Sequence, residues 1–490
     1  MRKTRILAAI LAALLLLPTL AACSTGEGDG DITNAGTNES ANETEDAMLK
    51  DALPDTLNYG GDTIMFLAND TIVTEDAVTG DPVNDIIYER NKMVEERLNV
   101  EIDCVNDGNA IDKAIIAING GSSDYDVLVD CCWRIAPKFV DAYFRNLRNT
   151  EYLDFDQVWW NQSFNEAIYY NNAQFGITGD FTLSLFRRTY ATVFNKALFT
   201  QAQQPFLYEY VDNGTWTLEK QTELVPLFHR DNGNAKQDLA GDIYGFTSND
   251  FISVDPYWAS CEVDIIKKTA DGEYEFVFDT AKLNEVADKV LALYYGTDQG
   301  SYIERDDYAG ESTSLSLFSA GNAAMATLTI ELLESGSMRD MPQEYGVVPL
   351  PKFNVNQKEY HSQRHDGFTI AAIPTTVIND RLHEVSAVLE AMASASYNLV
   401  RPVYYETTLR TKIVKDPQSS AMMDLIINSI YLDVGFVYSH SMNSFHQGFQ
   451  KVIDSKQNTT ASHYKALSAG AKKSIKNLSR KLSEIADKDS

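Results

Sequence analysis

His361 and His365 stand at a spacing that two ligands of one metal ion can share, but they lie in a polar stretch without a cysteine or carboxylate cluster. A zinc site needs three or four convergent ligands, so the pair reads as part of a solvated loop. The chain has no glycine-rich phosphate loop ending in Lys-Ser or Lys-Thr, no Gly-x-Ser-x-Gly elbow and no His-Glu-x-x-His. With 70 Asp and Glu residues, the carboxylates are too many to single out a glycosidase pair, which is defined by a separation of ~5–9 Å across the scissile bond. What remains is aromatic rings near acids and arginines. A ring covers the C–H face of a sugar, while Asp, Glu, Asn or Arg satisfies its rim of hydroxyls. Residues of these types to be placed are Trp133, Asp180, Tyr257, Trp258, Arg364, Asp366, Tyr404 and Tyr405. Trp159, Trp160 and Trp216 read more simply as core anchors, because large aromatics dominate cores.

The elements that must position them alternate. Thr63 to Leu67 predicts a buried strand, and Val83, Ile86, Ile87, Val94 and Leu98 recur at helical spacing across a charged segment. Val100 to Val105 is a second strand, Ile111 to Ile118 a helix stopped at Gly120-Gly121, and Tyr125 to Val129 a third strand. This β-α-β-α-β order implies a mostly parallel sheet covered on both faces. Ligands bind beyond the carboxyl ends of such strands, which puts Trp133, in the loop Asp130 to Trp133, at a cleft. A second set follows: a strand at Tyr190 to Asn195, a helix opened by Trp216-Thr217-Leu218-Glu219, and a helix capped by Asp279 with Leu283, Val286, Val290, Leu291 and Leu293 on its apolar face. A strand at Phe368 to Ala371 and several helices close the chain, the last of them basic and ending near Ala486.

Arg2, Lys3 and Arg5 precede the apolar run Ile6 to Leu17, which is too short for a transmembrane helix and has the length of a signal-peptide core. The run ends in Leu20-Ala21-Ala22-Cys23, which resembles the lipobox of signal peptidase II substrates. Cleavage before Cys23 and lipidation of its sulfur would place the body outside the cytoplasm, anchored to the cell membrane; the stability of such an anchor requires more than one acyl chain. Residues 24 to 58 have no aromatic residue, one lysine and nine acids, a composition that predicts a flexible tether with a reach of about 30 Å. More than four hundred residues remain for two or three cores. The formal net charge of -29 opposes binding to nucleic acid or anionic lipid. Cys104, Cys131, Cys132 and Cys261 allow one disulfide, but so few cysteines leave stability to the core.

The ordered set Tyr125-Asp126-Val127, Phe194-Asn195-Lys196-Ala197-Leu198-Phe199, Gly214-Thr215-Trp216-Thr217-Leu218, Gly321-Asn322-Ala323-Ala324-Met325 and Tyr345-Gly346-Val347-Val348-Pro349-Leu350-Pro351 resembles the family 1, maltose-binding-protein-like extracellular solute-binding proteins of ABC sugar importers. The resemblance covers nearly the whole body. It implies an α/β fold of two lobes, each a mostly parallel sheet flanked by helices, with a helical C-terminal extension, closing like a hinge over a sugar. The implied division is a signal peptide over 1–22, the lipidated cysteine and tether over 23–58, lobe 1 over 59–178 plus 345–380, and lobe 2 over 179–344 plus 381–490. The crossings would be Gly176-Ile177-Thr178-Gly179, the Tyr345 to Pro351 strand and a stretch near Asn379, with Gly176 and Gly179 absorbing dihedral changes. The resemblance places Asp180 just beyond the first crossing and Tyr257 and Trp258 where the family carries aromatic sugar platforms. It makes Tyr404 and Tyr405 a pair closing the cleft, and Arg364 and Asp366 the approach to the strand at Phe368. It further implies a monomer without cofactor or metal, whose partners are a carbohydrate and the permease subunits of an ABC transporter. Two other classes stand beside this: a surface glycan-acting enzyme or adhesin, and a receptor for a non-sugar solute such as a peptide.

Overall fold

The computed structural model describes residues 48–73, 79–234, 236–239, 241–305, 312–407 and 416–486; the signal peptide, Cys23 and the tether up to residue 47 lie outside them. The body begins with β1 (Asp62–Ala68), α1 (Pro82–Leu98), β2 (Val100–Asn106), α2 (Ala110–Asn119) and β3 (Val127–Cys131), the order read from periodicity. α1 starts where the Asp81 carboxylate accepts from the N–H groups of Val83 and Asn84, and Pro82 occupies its first turn, where no donor is lost. It stops at Asn99, whose φ of 51° turns the chain into β2. β1 lies between β2 and β3, parallel to both.

The second lobe is built from β4 (Tyr190–Asn195), α3 (Leu218–Phe228), β5 (Phe246–Asn249), α4 (Thr280–Tyr295), β6 (Ser301–Glu304), β7 (Met325–Thr329) and β8 (Tyr345–Val348). The strand order is β8-β4-β7-β5-β6. All six residues of β4 are buried, as expected of a strand covered on both faces. The pairs β7/β5 and β5/β6 are parallel, whereas β8/β4 and β4/β7 are antiparallel, so this sheet is evenly mixed. β8 therefore belongs to the second sheet, where the sequence reading grouped Tyr345 onward with lobe 1. The chain rejoins the first sheet only at β9 (Thr369–Ala372), antiparallel to β3.

α5 (Asp380–Ala395) also belongs to the first lobe. Val385, Val388, Leu389 and Met392 pack in one cluster with Phe66, Val94 and Leu98. The third crossing thus comes after Ala395 rather than near Asn379. It is helical: a π-helical segment, Ser396–Val400, runs into Arg401–Val403, and Tyr404 enters the second-lobe core. α6 (Pro417–Asn428) then packs on β8, while α7 (Gly448–Asp454) and α8 (Thr460–Ala486) pack on α4. α8 also reaches the first lobe, where Lys481 lies 3.6 Å from Asp141. The sequence reading gave residues 381 to 490 to lobe 2; apolar faces on α5 and α8 draw parts of that stretch to lobe 1 as well.

Residues 48–58, read as part of the tether, are docked. Leu53 is buried in the first-lobe core, and Arg97 of α1 donates to both Asp51 carboxylate oxygens at 2.7 and 2.6 Å. Gly176 and Gly179 owe their identity to close packing. A Cβ at Gly176 would stand 2.5 Å from the Phe139 ring and 2.7 Å from Ile370, and one at Gly179 would collide with the Trp159 carbonyl oxygen and the Trp160 ring. Gly179→Ala is therefore expected to destabilise the protein by ~1–3 kcal/mol, the usual range for overpacking, as measured by urea denaturation.

Candidate binding cleft

β1, β3 and β9 bring Asp70, Trp133 and Asp366 to one end of the first sheet, beyond the carboxyl ends of β1 and β3. The loop after β3 is held by Asp130, whose buried carboxylate accepts from the N–H groups of Ile111 and Cys131 and from Asn69 Nδ2, each at 2.7 Å. Beyond that anchor Trp133 is 42% exposed, with its ring 5.7 Å from that of His440 and 5.7 Å from the Arg134 guanidinium. Asp366 lies 3.5 Å from His365 and 3.8 Å from His440. Burial works against its charge, yet the attraction of the nearby His440, His365 and His446 rings holds its carboxyl below the usual range.

A cavity of about 220 Å³ opens between the lobes beside the crossing segments. Asp70 and Asn84 line it from the first lobe, Asp180 and Thr182 from the crossing, and Arg187 and Glu334 from the second lobe. Asp70 accepts from Thr182 Oγ1 at 2.7 Å and from Thr369 Oγ1 at 3.2 Å, which ties the end of β1 to the crossing. Arg187 Nε donates to Glu334 at 3.2 Å, and Tyr404 donates its hydroxyl to the same carboxylate at 2.6 Å. Asp180, nearly buried, accepts from Arg401 at 3.2 Å, which joins two crossing segments. Burial pushes its carboxyl up to about 6, against the pull of Arg401 and Arg364. The wall thus carries carboxylates, guanidiniums and hydroxyls beside the apolar side chains of Val83, Ile87, Phe181, Leu183 and Val400, and its polar groups suit a ligand rich in hydroxyls. Among the described residues no group of three or more His, Cys, Asp or Glu is arranged to hold a metal ion, and the four described cysteines are free.

No family model matches the chain, and no curated protein matches it. Solved structures do. The cyclic alpha-maltosyl-1,6-maltose binding protein of Arthrobacter globiformis aligns with a TM-score of 0.56 at 13% identity, over 85% of this chain and all of that one. An ABC substrate-binding protein of Listeria monocytogenes in complex with cycloalternan gives 0.54 at 15%, over 85% and 99%. UgpB of Mycobacterium tuberculosis in complex with glycerophosphocholine gives 0.53 at 15%, over 88% and 99%. The fold is that of the ABC substrate-binding proteins. Among the described residues no helix is long and apolar enough to cross a membrane.

Within the ABC substrate-binding fold, the residues picked from sequence part company. Asp180 and Tyr404 line the cavity, and Trp133 stands after the strand next to the one that carries Asp70. Tyr405 packs on Phe186 in the second lobe. Arg364 is buried behind the cavity wall, its Nε donating to Leu185 O at 3.2 Å; burial brings its guanidinium down to about 9, opposed by the Asp180 charge. Tyr257 and Trp258 are core residues, a correction to the platform role given them. Tyr257 is fully buried, and the Trp258 indole is ringed by Phe278, Phe445, Phe449 and Tyr464 at centroid distances of 5.8 to 6.5 Å. The C-terminal segment with Phe445, Phe449 and Tyr464 covers Trp258, and Tyr257 packs against Tyr294 of α4. Trp159, Trp160 and Trp216 are likewise buried. Sequence reasoning missed Asp70, Arg187 and Glu334. The rule that selected Trp133, a polar or aromatic residue just past a strand, would have found Asp70 after β1.

Proposed function

We propose that this protein is a lipid-anchored, extracytoplasmic solute-binding protein that captures a carbohydrate between its lobes and delivers it to an ABC transporter permease. The observation that carries this reading is the interlobe cavity walled by Asp70, Asp180, Arg187 and Glu334; Trp133, outside that lining, is an exposed ring after the neighbouring strand. Cys23 supplies the anchor and the permease the membrane passage. The similar structures include an ABC substrate-binding protein and a cyclic alpha-maltosyl-1,6-maltose binding protein, which supports binding without turnover. The cavity is smaller than the ~300–1,000 Å³ typical of ligand sites, which favours one or two sugar rings in the arrangement described.

A thermal-shift screen against mono- and oligosaccharides tests the reading. A ligand at about a thousand times its Kd stabilises by ~4 kcal/mol, and the recovered sugar should be unchanged. In the Trp133→Ala variant the affinity for a sugar found this way should fall about tenfold, the ~1.4 kcal/mol expected of a lost ring contact, with little change in melting temperature because the side chain is half exposed. A second reading, a polar non-sugar solute, is favoured by the charged groups of the cavity wall, Asp70, Asp81, Arg90, Asp180, Arg187, Glu334 and Arg339. Glycerophosphocholine and short peptides therefore belong in the same screen; a shift with one of them and none with sugars would replace the carbohydrate reading.

A further inference from the structure

The residues just ahead of the first strand make an unusual set of contacts. Leu49 donates its backbone N–H to Asn398 Oδ1 at 3.0 Å, and Asn398 Nδ2 returns a bond to the Leu49 carbonyl at 2.9 Å. Asn398 lies within the π-helical segment Ser396–Val400, where the chain leaves the first lobe for the second. Such segments interrupt the regular hydrogen-bond ladder and often mark functional positions. On one side of it, Arg90 of α1 donates to Ser396 Oγ at 2.6 Å and to Phe181 O at 3.1 Å in the first crossing. On the other, Arg401 reaches Asp180 at the cavity wall. The arm itself is pinned to the first lobe by the Asp51–Arg97 pair and by buried Leu53. A chain of direct contacts therefore runs from the arm through the crossing helix to the cavity.

We propose that residues 48–53 form a strap that clasps the interlobe helix, so that docking of the arm and the arrangement of the lobes are energetically linked. The two sites share one element, Ser396–Val403, and any ligand that shifts that element must change the docking equilibrium of the arm by the same factor that the docked arm changes ligand affinity. Because the arm continues toward Cys23, the strap joins the anchored end of the chain to the hinge. The proposal rests on the arm and the crossing helix alone and holds whether the ligand is a sugar or another solute.

Hydrogen exchange on the intact mature protein tests it without any ligand. Asp51→Ala removes the pin to α1, and Leu49→Pro deletes the donor to Asn398; neither residue touches the cavity. Both variants should raise exchange about threefold or more in residues 396–404 and 180–187, as well as in the arm. A wild-type unfolding midpoint in Leu49→Pro, where the original residue is 46% exposed, confirms that the core is intact; the Asp51 side chain is itself covered, at 2% exposure. Faster exchange confined to residues 48–57 in both variants would overturn the strap and leave the binding function untouched.

Discussion

Replacing Glu390 by alanine should lower the unfolding free energy by roughly 3–5 kcal/mol, the cost of leaving buried hydrogen-bond donors without an acceptor. The Glu390 carboxylate, 1% exposed on α5, accepts from the Trp159 indole at 3.0 Å, the Trp160 indole at 2.9 Å and the Asp154 N–H at 3.2 Å. Those tryptophans hold the chain just before Asp180, since the Asp180 N–H donates to the Trp159 carbonyl at 2.8 Å. Burial raises the Glu390 carboxyl from 4.5 to about 7, against the bonds from Trp160, Asp154 and Trp159. A folded value above the unfolded one means that the group's contribution is full below pH ~4.5 and is lost as pH rises through ~7, a difference of about 3 kcal/mol across that window. Urea denaturation at pH 5 and pH 8 should show this loss in the wild type, and Glu390→Gln should remove that part of it. Parallel pH dependence in the two proteins would mean that the carboxyl does not titrate in this window.

The second large effect is on binding. Asp180→Ala should weaken the best ligand of the saccharide screen by about 10- to 150-fold, the 1.5–3 kcal/mol of a hydrogen bond to a charged group. Asp180 both faces the cavity and holds Arg401. Its carboxyl, pushed up to about 6 by burial, is ionised at pH 8 and protonated at pH 5. Affinity should therefore fall as pH drops through 6, and Asp180→Asn should flatten the dependence; isothermal titration measures both. An unchanged affinity in Asp180→Ala would move the site elsewhere.

Local signals carried far in this sequence. Periodicity located β1 to β3 with the helices between them, and Asp279, read as the cap of α4, accepts from the N–H groups of Ala281 and Lys282. The exposed position of Trp133 after β3 was legible because a post-strand loop has a defined place in a parallel sheet. What failed depended on long-range pairing. Nothing local in Tyr345 to Val348 distinguishes a partner of β4 from a partner of β3. The apolar face of α5 fits either lobe until Phe66 and Leu98 are seen beneath it. Trp258 read as a sugar platform because the segment from Phe445 to Tyr464 that covers it lies some two hundred residues on. Glycine at 179 suggested freedom, whereas the Trp159 carbonyl against it means confinement.

Small-angle scattering during titration with a sugar that gives a thermal shift is the most direct test of two lobes closing on a guest. A radius of gyration that falls and saturates with the same midpoint as binding is the expected result. A profile that does not change while the thermal shift saturates would contradict it.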